Sequence, residues 1–461
     1  MSLIKSISGI RGTIGGKVDE NLTPIDAVKF AAAYGSWLKG QSGKEHVKVV
    51  IGRDARISGE MIQNLVQYTL IGLGIDVVNI GLSTTPTVEV AVPMEEADGG
   101  IILTASHNPK EWNALKLLNN KGEFVSDQDG KVILKIAQEN DFSFAQVDDL
   151  GEIFINDAYI DIHIDEVLQL PLVTPEAIQE KKFRVVVDGV NSSGGIAIPN
   201  LLKELGVEVI KLYCEPNGQF PHNPEPLKEH LGDICKKVVE EKADFGIVVD
   251  PDVDRLAFIT EDGEMFGEEY TLVACADYVL SKTKGNVVSN LSSSRALRDI
   301  AHKHGVTYTA AAVGEVNVVT EMKRTEAIIG GEGNGGIIYP ELHYGRDALV
   351  GVALFLSLLA ERGISVKQLR ESYPAYFMSK NKIQLTEHIN PDHILNEMEK
   401  KYAGEQITTI DGLKIDFPES WIHLRKSNTE PIIRIYTEAK SQKEADELAT
   451  RFIEEIKTLC K

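Results

Sequence analysis

Three aspartates alternate through "FGIVVDPDVDRLAFIT", residues 245–260, at Asp250, Asp252 and Asp254, with Arg255 directly after them. Alternate residues of an extended segment point the same way, so the three carboxylates converge on one point. Left together they repel, and a hard divalent cation that prefers oxygen removes the repulsion. An EF-hand loop competes, because Glu261 falls at its twelfth position. It fails at the sixth, where Arg255 stands in place of the glycine that the sharp turn requires. "LAFIT" also reads as strand rather than loop. A solvated acidic hairpin tip is the bland alternative, but such tips rarely crowd three aspartates between apolar strands. The pattern points to a metal loop.

A second stretch, "ILTASHNPKEWNALK" (102–116), ends a run of aliphatics with Ser106, His107 and Asn108 before Pro109. Alone, Ser106 reads as a turn residue and His107 as a polar loop residue. Beside a metal site the serine gains a second reading, since a weak oxygen nucleophile needs activation. In "RKSNTEPIIR" (425–434), Arg425, Ser427, Asn428, Thr429 and Arg434 combine two guanidinium groups with hydroxyls and turn amides, a receptor for a phosphate dianion. A polar β-turn is its equal competitor. "IIGGEGNGGIIYP" (328–340) sets five glycines around Glu332 and Asn334. There the backbone can approach a ligand closely and a carboxylate can accept two sugar hydroxyls, or the segment is simply a surface loop. It is no dinucleotide fingerprint, because no strand-to-helix unit with a ribose-binding acid follows.

The elements that must carry these loops recur. "VKVVIGRDARISGEMIQNLVQYTLIGLGIDVVNIG", "FRVVVDGVNSSGGIAIPNLLKELGVEVIKLY" and "GNVVSNLSSSRALRDIAHKHGVTYTAAAVG" each read strand, polar loop, helix, glycine, strand. Gly74, Gly206 and Gly305 are expected to end the helices in the left-handed conformation. The aliphatic strands suit a sheet covered by helices on both faces. Three such units at wide spacing predict three related α/β domains. After Pro374 the pattern changes to short strands, a helix around "PDHILNEMEKKY", a turn at Asp411-Gly412 and a final amphipathic helix, which predicts a smaller α+β domain. The expected domains are 1–154, 155–260, 261–372 and 373–461.

Composition narrows the function. The 461 residues are 43% hydrophobic and 25% charged, a soluble globular profile. A net charge of −21 repels polyanions, which argues against nucleic acid and leaves small phosphorylated metabolites open. No apolar run is long enough for a bilayer, and "MSLIKSISGIRG" lacks the apolar core of a signal peptide, so no membrane partner is expected. Cys214, Cys235, Cys275 and Cys460 show no metal spacing, which suggests structural thiols in a reducing cytoplasm.

Nucleophile, metal, sugar and phosphate loops in that order closely resemble the α-D-phosphohexomutase superfamily, over essentially the whole chain. "TASHNP" matches its phosphoserine loop, "DPDVDR" its magnesium loop and "RKSNTEPIIR" its phosphate loop. "SGIRG" carries Arg11 at the family's N-terminal motif, and "NALK" places Lys116 where members carry an active-site lysine. The resemblance implies three α/β domains and a smaller α+β domain, heart-shaped around a deep central cleft. Three departures bear on the sugar rather than the reaction. Asn334 and Gly336 replace the usual serine and histidine of the sugar loop. Asn113-Ala114 replaces an asparagine-glycine step, and Val316 stands where many members are basic.

By this resemblance Ser106 carries a phosphoryl group, and it binds one Mg²⁺ per chain together with Asp250, Asp252 and Asp254. Arg255 and Arg11 neutralise the transferring group. Lys116 is the first candidate for proton transfer, on the expectation that its pKa falls among neighbouring cations, and His107 is the second. The substrate phosphate sits on Arg425, Ser427, Asn428, Thr429 and Arg434, and the sugar on Glu332, Asn334, Gly314 and Glu315. A bisphosphorylated sugar is both intermediate and primer. The expected reaction interconverts glucosamine 6-phosphate and glucosamine 1-phosphate, with phosphomannomutase/phosphoglucomutase activity as the alternative. A metal-dependent sugar phosphatase or a silent sugar-phosphate sensor would be of another class. A monomer or homodimer is expected.

Overall fold

The computed structural model describes residues 2–6, 9–44, 46–385, 390–426 and 432–459. The chain forms two compact units, residues 1–271 with 335–367, and residues 272–334 with 368–461. The three repeated segments fold as parallel strand–helix–strand units. Strands Val47–Arg53 and Ile75–Leu82 flank helix Gly59–Gly72, Arg184–Asp188 and Glu208–Leu212 flank Gly194–Glu204, and Asn286–Asn290 and Tyr308–Ala311 flank Ala296–Lys303. Gly74, Gly206 and Gly305 stand two residues past these helices with φ of 75°, 69° and 70°, where a Cβ would clash with the following carbonyl.

In the first unit a seven-stranded sheet runs in the order Ile4–Ser6, Gly9–Thr13, Trp112–Leu118, Gly99–Leu103, Val47–Arg53, Ile75–Leu82 and Ile153–Ile155. Alternate residues of one strand feed two different cores. Val49, Ile51, Ile101 and Leu103 pack on one face, and Val50, Ile80, Ile102 and Leu118 on the other. Each such side chain, fully buried, contributes about 1.5–3 kcal/mol. A four-stranded sheet follows in the same unit, and its edge strand Leu256–Ile259 lies antiparallel to Phe245–Val249 with Val249 opposite Leu256. The aspartates therefore occupy the tip of a tight hairpin. Helix Ala348–Arg362 is buried from Ala348 through Ala360, with Phe355 stacked on Phe258 at 3.8 Å between centroids. Asp347 caps it, accepting from the amides of Leu349 (2.8 Å) and Val350 (3.3 Å).

The second unit holds three parallel strands, Tyr308–Ala311, Asn286–Asn290 and Ala327–Glu332. It also holds a five-stranded antiparallel sheet backed by helices Pro391–Lys401 and Gln442–Leu459. Gly412 has φ 73° in the connection from Gln406–Thr408 to Leu413–Asp416, as the Asp411-Gly412 turn predicts. Arg295 staples these parts, donating to Asp416 and to the carbonyls of Phe417, Pro418 and Ser420. Among the described residues no helix is long and apolar enough to cross a membrane.

A buried polar cluster joins three segments of the first unit. His163 Nε2 lies 2.9 Å and His343 Nε2 3.1 Å from the same Asp347 oxygen, while His163 Nδ1 meets Thr87 Oγ1 at 2.9 Å. Burial alone would lower the pKa of His343, but Asp347 and Glu89 outweigh it and raise it to about 10. The folded value exceeds the unfolded one of about 6.5, so the cluster's stabilisation is complete below pH ~6.5 and fades toward pH ~10. Thermal unfolding from pH 6.5 to 10 should show falling stability in the wild type. His343→Gln should flatten that slope, and an unchanged slope would refute the assignment.

Candidate active site

Ser106 follows strand Gly99–Leu103 with φ 47°, in the left-handed region, a conformation that costs a non-glycine residue about 1–3 kcal/mol. Val253, at the aspartate tip, is also left-handed with φ 63°. Such strain persists only where surrounding contacts impose it. The serine hydroxyl donates to Asp250 Oδ2 at 2.7 Å, and the amides of Asp254 and Arg255 donate to Asp250 Oδ1 at 3.1 Å each. Two loops distant in sequence thus meet at one carboxylate.

Each of the other aspartates receives a cation. Lys116 Nζ donates to Asp252 Oδ2 at 2.6 Å and lies 3.4 Å from Asp254 Oδ2, which also accepts from Arg346 Nη2 at 2.7 Å. Thr85 Oγ1 donates to Asp252 Oδ2 at 2.5 Å. One ligand oxygen from each of the three carboxylates lies within 4.8 Å of the others. Asp252 Oδ1 and Asp254 Oδ1 are buried with no hydrogen-bond partner. Buried anionic oxygens left over in this way are what a hard cation takes up, so the residues fit a metal.

The electrostatics agree. Burial raises the Asp250 carboxyl well above the ordinary range, and the Asp254 and Asp252 charges add to the rise. Burial pushes Asp252 up too, but Lys116 and the Thr85 hydroxyl prevail and hold it below the usual range. His107 Nδ1 lies 3.5 Å from Ser106 Oγ. Burial lowers its pKa to about 2, helped by Arg255, Arg346 and Arg11. Arg11, on strand Gly9–Thr13 opposite Ala114, therefore shares the serine's surroundings with Arg255, which donates to Glu225 at 2.9 Å. One expectation is corrected. The pKa of Lys116 does not fall: burial and the neighbouring Arg346 charge favour the neutral amine, but Asp252 and Asp254 outweigh them and raise it above its ordinary value.

The second unit gathers the expected sugar residues. Glu332 Oε1 accepts from Asn290 Nδ2 (2.8 Å) and from the Gly314 amide (3.1 Å), and Asn334 Nδ2 lies 3.4 Å from Oε2. Glu315 is buried at the start of helix Glu315–Thr325. Arg425 and Arg434 face each other across strands Trp421–Lys426 and Ile432–Ala439. Arg425 Nε is 2.8 Å from Asp411 Oδ2, which also accepts from the Val313 amide beside Gly314. Ser427, Asn428 and Thr429 lie outside the described residues.

Thr85, Arg346, Glu225 and Asn290 are unmarked in the sequence, since none belongs to a patterned stretch of polar residues, and Asp411 is marked there only as a turn residue. Arg56 and Asp54, in "GRDAR", passed as an ordinary loop, although two charges in the short turn after a buried strand were a usable signal.

Models of the four domains of phosphoglucomutase/phosphomannomutase match the chain in order. Alpha/beta/alpha domains I, II and III match residues 3–144, 161–263 and 267–376, and the C-terminal domain matches 382–455. A phosphoglucomutase/phosphomannomutase of Thermococcus kodakarensis is 36% identical, covering 96% of this chain and 98% of its own. A phosphoglucosamine/phosphogalactosamine mutase of Sulfurisphaera tokodaii is 30% identical, with 97% and 98% covered. The crystal structure of a phosphoglucomutase/phosphomannomutase family protein from Burkholderia thailandensis superposes with a TM-score of 0.85 at 26% identity, covering 99% and 98%. With four domain families matched in order and relatives aligned end to end, the four-domain α/β chain belongs to the phosphoglucomutase/phosphomannomutase family and is an enzyme of the phosphohexomutase kind.

Proposed function

We propose that the chain interconverts hexose 6-phosphates and 1-phosphates through a phosphoserine at Ser106, with glucosamine phosphate as its preferred substrate. The observation that carries the reaction is the 2.7 Å bond from the serine hydroxyl to one carboxylate of a buried three-aspartate loop, with Arg11, Arg255 and Arg346 close by. Phosphoryl transfer needs positioning and charge neutralisation more than covalent chemistry, and these groups provide both. Asp250, Asp252 and Asp254 would hold Mg²⁺, which when bound neutralises charge on the transferring phosphoryl oxygens.

Ser106 gives its phosphoryl group to the free hydroxyl of the bound sugar phosphate. The P–Oγ bond breaks as the new P–O bond forms, and a proton from the sugar hydroxyl balances the freed serine oxygen. Lys116 stays charged, and the proton passes between the sugar and serine oxygens themselves; His107, held neutral beside Ser106, orients the serine oxygen rather than carrying the proton. The bisphosphorylated sugar then turns over, and its other phosphate returns to Ser106. Arg425, Ser427, Asn428, Thr429 and Arg434 hold whichever phosphate is not reacting. Such a second grip favours a mutase over a phosphatase. The reaction is tested by supplying a sugar 1-phosphate with trace bisphosphate primer. Isomerisation supports a mutase, free phosphate a phosphatase, and binding alone a sensor.

The sugar preference rests on acidity around carbon 2. Glu332 serves hydroxyls that glucosamine, glucose and mannose share, so discrimination falls to Glu315 and Asn334, whose acceptors favour an ammonium. A charge-assisted hydrogen bond of about 1.5–3 kcal/mol corresponds to a preference of roughly tenfold to a hundredfold. Glucosamine 6-phosphate should therefore show the highest kcat/KM of the three. The resemblance to the Thermococcus phosphoglucomutase/phosphomannomutase favours a second reading, and a clear preference for glucose or mannose phosphate would establish it.

A further inference from the structure

The guanidinium of Arg56 is wholly buried, and all five of its N–H donors are used. Nε donates to Asp54 Oδ2 at 3.0 Å. Nη1 donates to the carbonyls of Pro109 (2.7 Å) and Trp112 (2.9 Å), and Nη2 to those of Ser106 (2.5 Å) and Asn108 (2.7 Å). Three of the five bonds thus end on backbone of the serine loop and a fourth on Trp112, where the next strand begins. Asp54 completes the frame: its Oδ2 accepts from Thr104 Oγ1 at 2.6 Å, and Thr104 Oγ1 accepts from the Ser106 amide at 3.0 Å. Both backbone polar groups of the left-handed serine are therefore tied, directly or through one residue, to the pair Asp54–Arg56.

The same segment reaches the aspartate hairpin. The Ala55 amide donates to Ser192 Oγ at 3.3 Å, and that hydroxyl donates to the Pro251 carbonyl at 2.7 Å. Phe220 stacks on the guanidinium, 5.1 Å from its carbon to the ring centroid. A buried arginine that merely filled a core would have no reason to spend four donors on one loop and the strand end that follows it.

We infer that Arg56 is a positioning residue: with Asp54 and Thr104 it imposes the left-handed conformation of Ser106 and so aims the nucleophile at its partner groups. The kinetic half of this inference rests on the mutase reading; the conformational half does not. Lysine at this position keeps the charge but offers three donors from one point, which cannot span both arms of the fork.

The test is the crystal structure and steady-state kinetics of Arg56→Lys, with Thr104→Val and Thr104→Ser as a second pair that leaves the buried ion pair intact. In Arg56→Lys, Ser106 should leave the left-handed region and kcat should fall on the order of a hundredfold, as misplacement of a reacting group by about 1 Å does. KM should stay within about threefold, because Arg56 touches no substrate. Thr104→Val removes both the bond to Asp54 and the one from the Ser106 amide and should lower kcat by roughly tenfold or more, and Thr104→Ser, which keeps the hydroxyl, should restore it. An unmoved Ser106 in both Arg56→Lys and Thr104→Val overturns the inference, as does unchanged kcat in both. If the wild-type protein failed to isomerise sugar phosphates, the mutase reading would fall while the conformation of Ser106 in these variants still decided the inference.

Discussion

Ser106→Ala should fold normally and lose mutase turnover by several orders of magnitude, the scale expected when a covalent nucleophile is removed. The change deletes one hydroxyl that is 2.7 Å from Asp250, and a net hydrogen bond is worth about 1 kcal/mol. Asp250 keeps two backbone amides on its other oxygen, so the aspartate loop has reason to hold. Alanine also bears the left-handed φ with a penalty like that of serine. Stability and activity should therefore separate cleanly. Intact-mass analysis of the wild type should show partial occupancy by one phosphoryl group, mapped to the peptide containing "TASHNP", and the variant should show none. Turnover near the wild-type rate in Ser106→Ala would end the phosphoserine reading.

How far the sequence reveals this site depends on whether the information is local. The hairpin of Phe245–Val249 and Leu256–Ile259 is legible because two apolar strands bracket alternating aspartates. The three parallel units are legible because each glycine past a helix marks a backbone position that other residues avoid. Glu332 and Gly314 meet through folding alone; Glu332 is readable as a candidate from its glycine-rich segment, whereas Gly314 is a candidate only through the family resemblance. Arg346 is readable by neither route. It reaches Asp254 from a position 92 residues further along the chain, and nothing in its neighbours announces that contact. Lys116 shows a subtler failure. Its presence was legible, but the sign of its pKa shift depends on which charges surround it, and that is set by the packing of strand Trp112–Leu118 against the aspartate loop. Residue type can be read from sequence; electrostatic environment must be read from the fold.

Asp250 and Asp252 should respond oppositely in stability and alike in function. Asp252→Asn breaks the buried pair with Lys116, at 2.6 Å, and leaves an ammonium with weaker compensation. Removing one partner of such a pair typically costs about 3–5 kcal/mol, so the metal-free variant should melt well below the wild type. Asp250 has no such cation in hydrogen-bond contact among the described residues, and burial together with the Asp254 and Asp252 charges disfavours its ionised form. An asparagine there keeps its one oxygen for the two amides and turns its NH2 toward the Ser106 oxygen, which then accepts instead of donating, while the repulsion is removed. Metal-free Asp250→Asn should therefore melt at or above the wild-type temperature, a site where function is kept at the expense of stability. Both variants lose one anionic oxygen donor. Calorimetric titration should show Mg²⁺ binding weakened at least tenfold in each, and turnover should fall on the order of a hundredfold to a thousandfold, the scale of losing one preorganised electrostatic group. EDTA should likewise stop the wild-type enzyme without unfolding it, since the cores of both sheets in the first unit are built from aliphatic side chains rather than from the aspartate loop. If Asp250→Asn bound Mg²⁺ as tightly as the wild type, or if chelated enzyme turned over at full rate, the three aspartates would have to be read as an ion-pair network for Lys116 and Arg346 and not as a metal site.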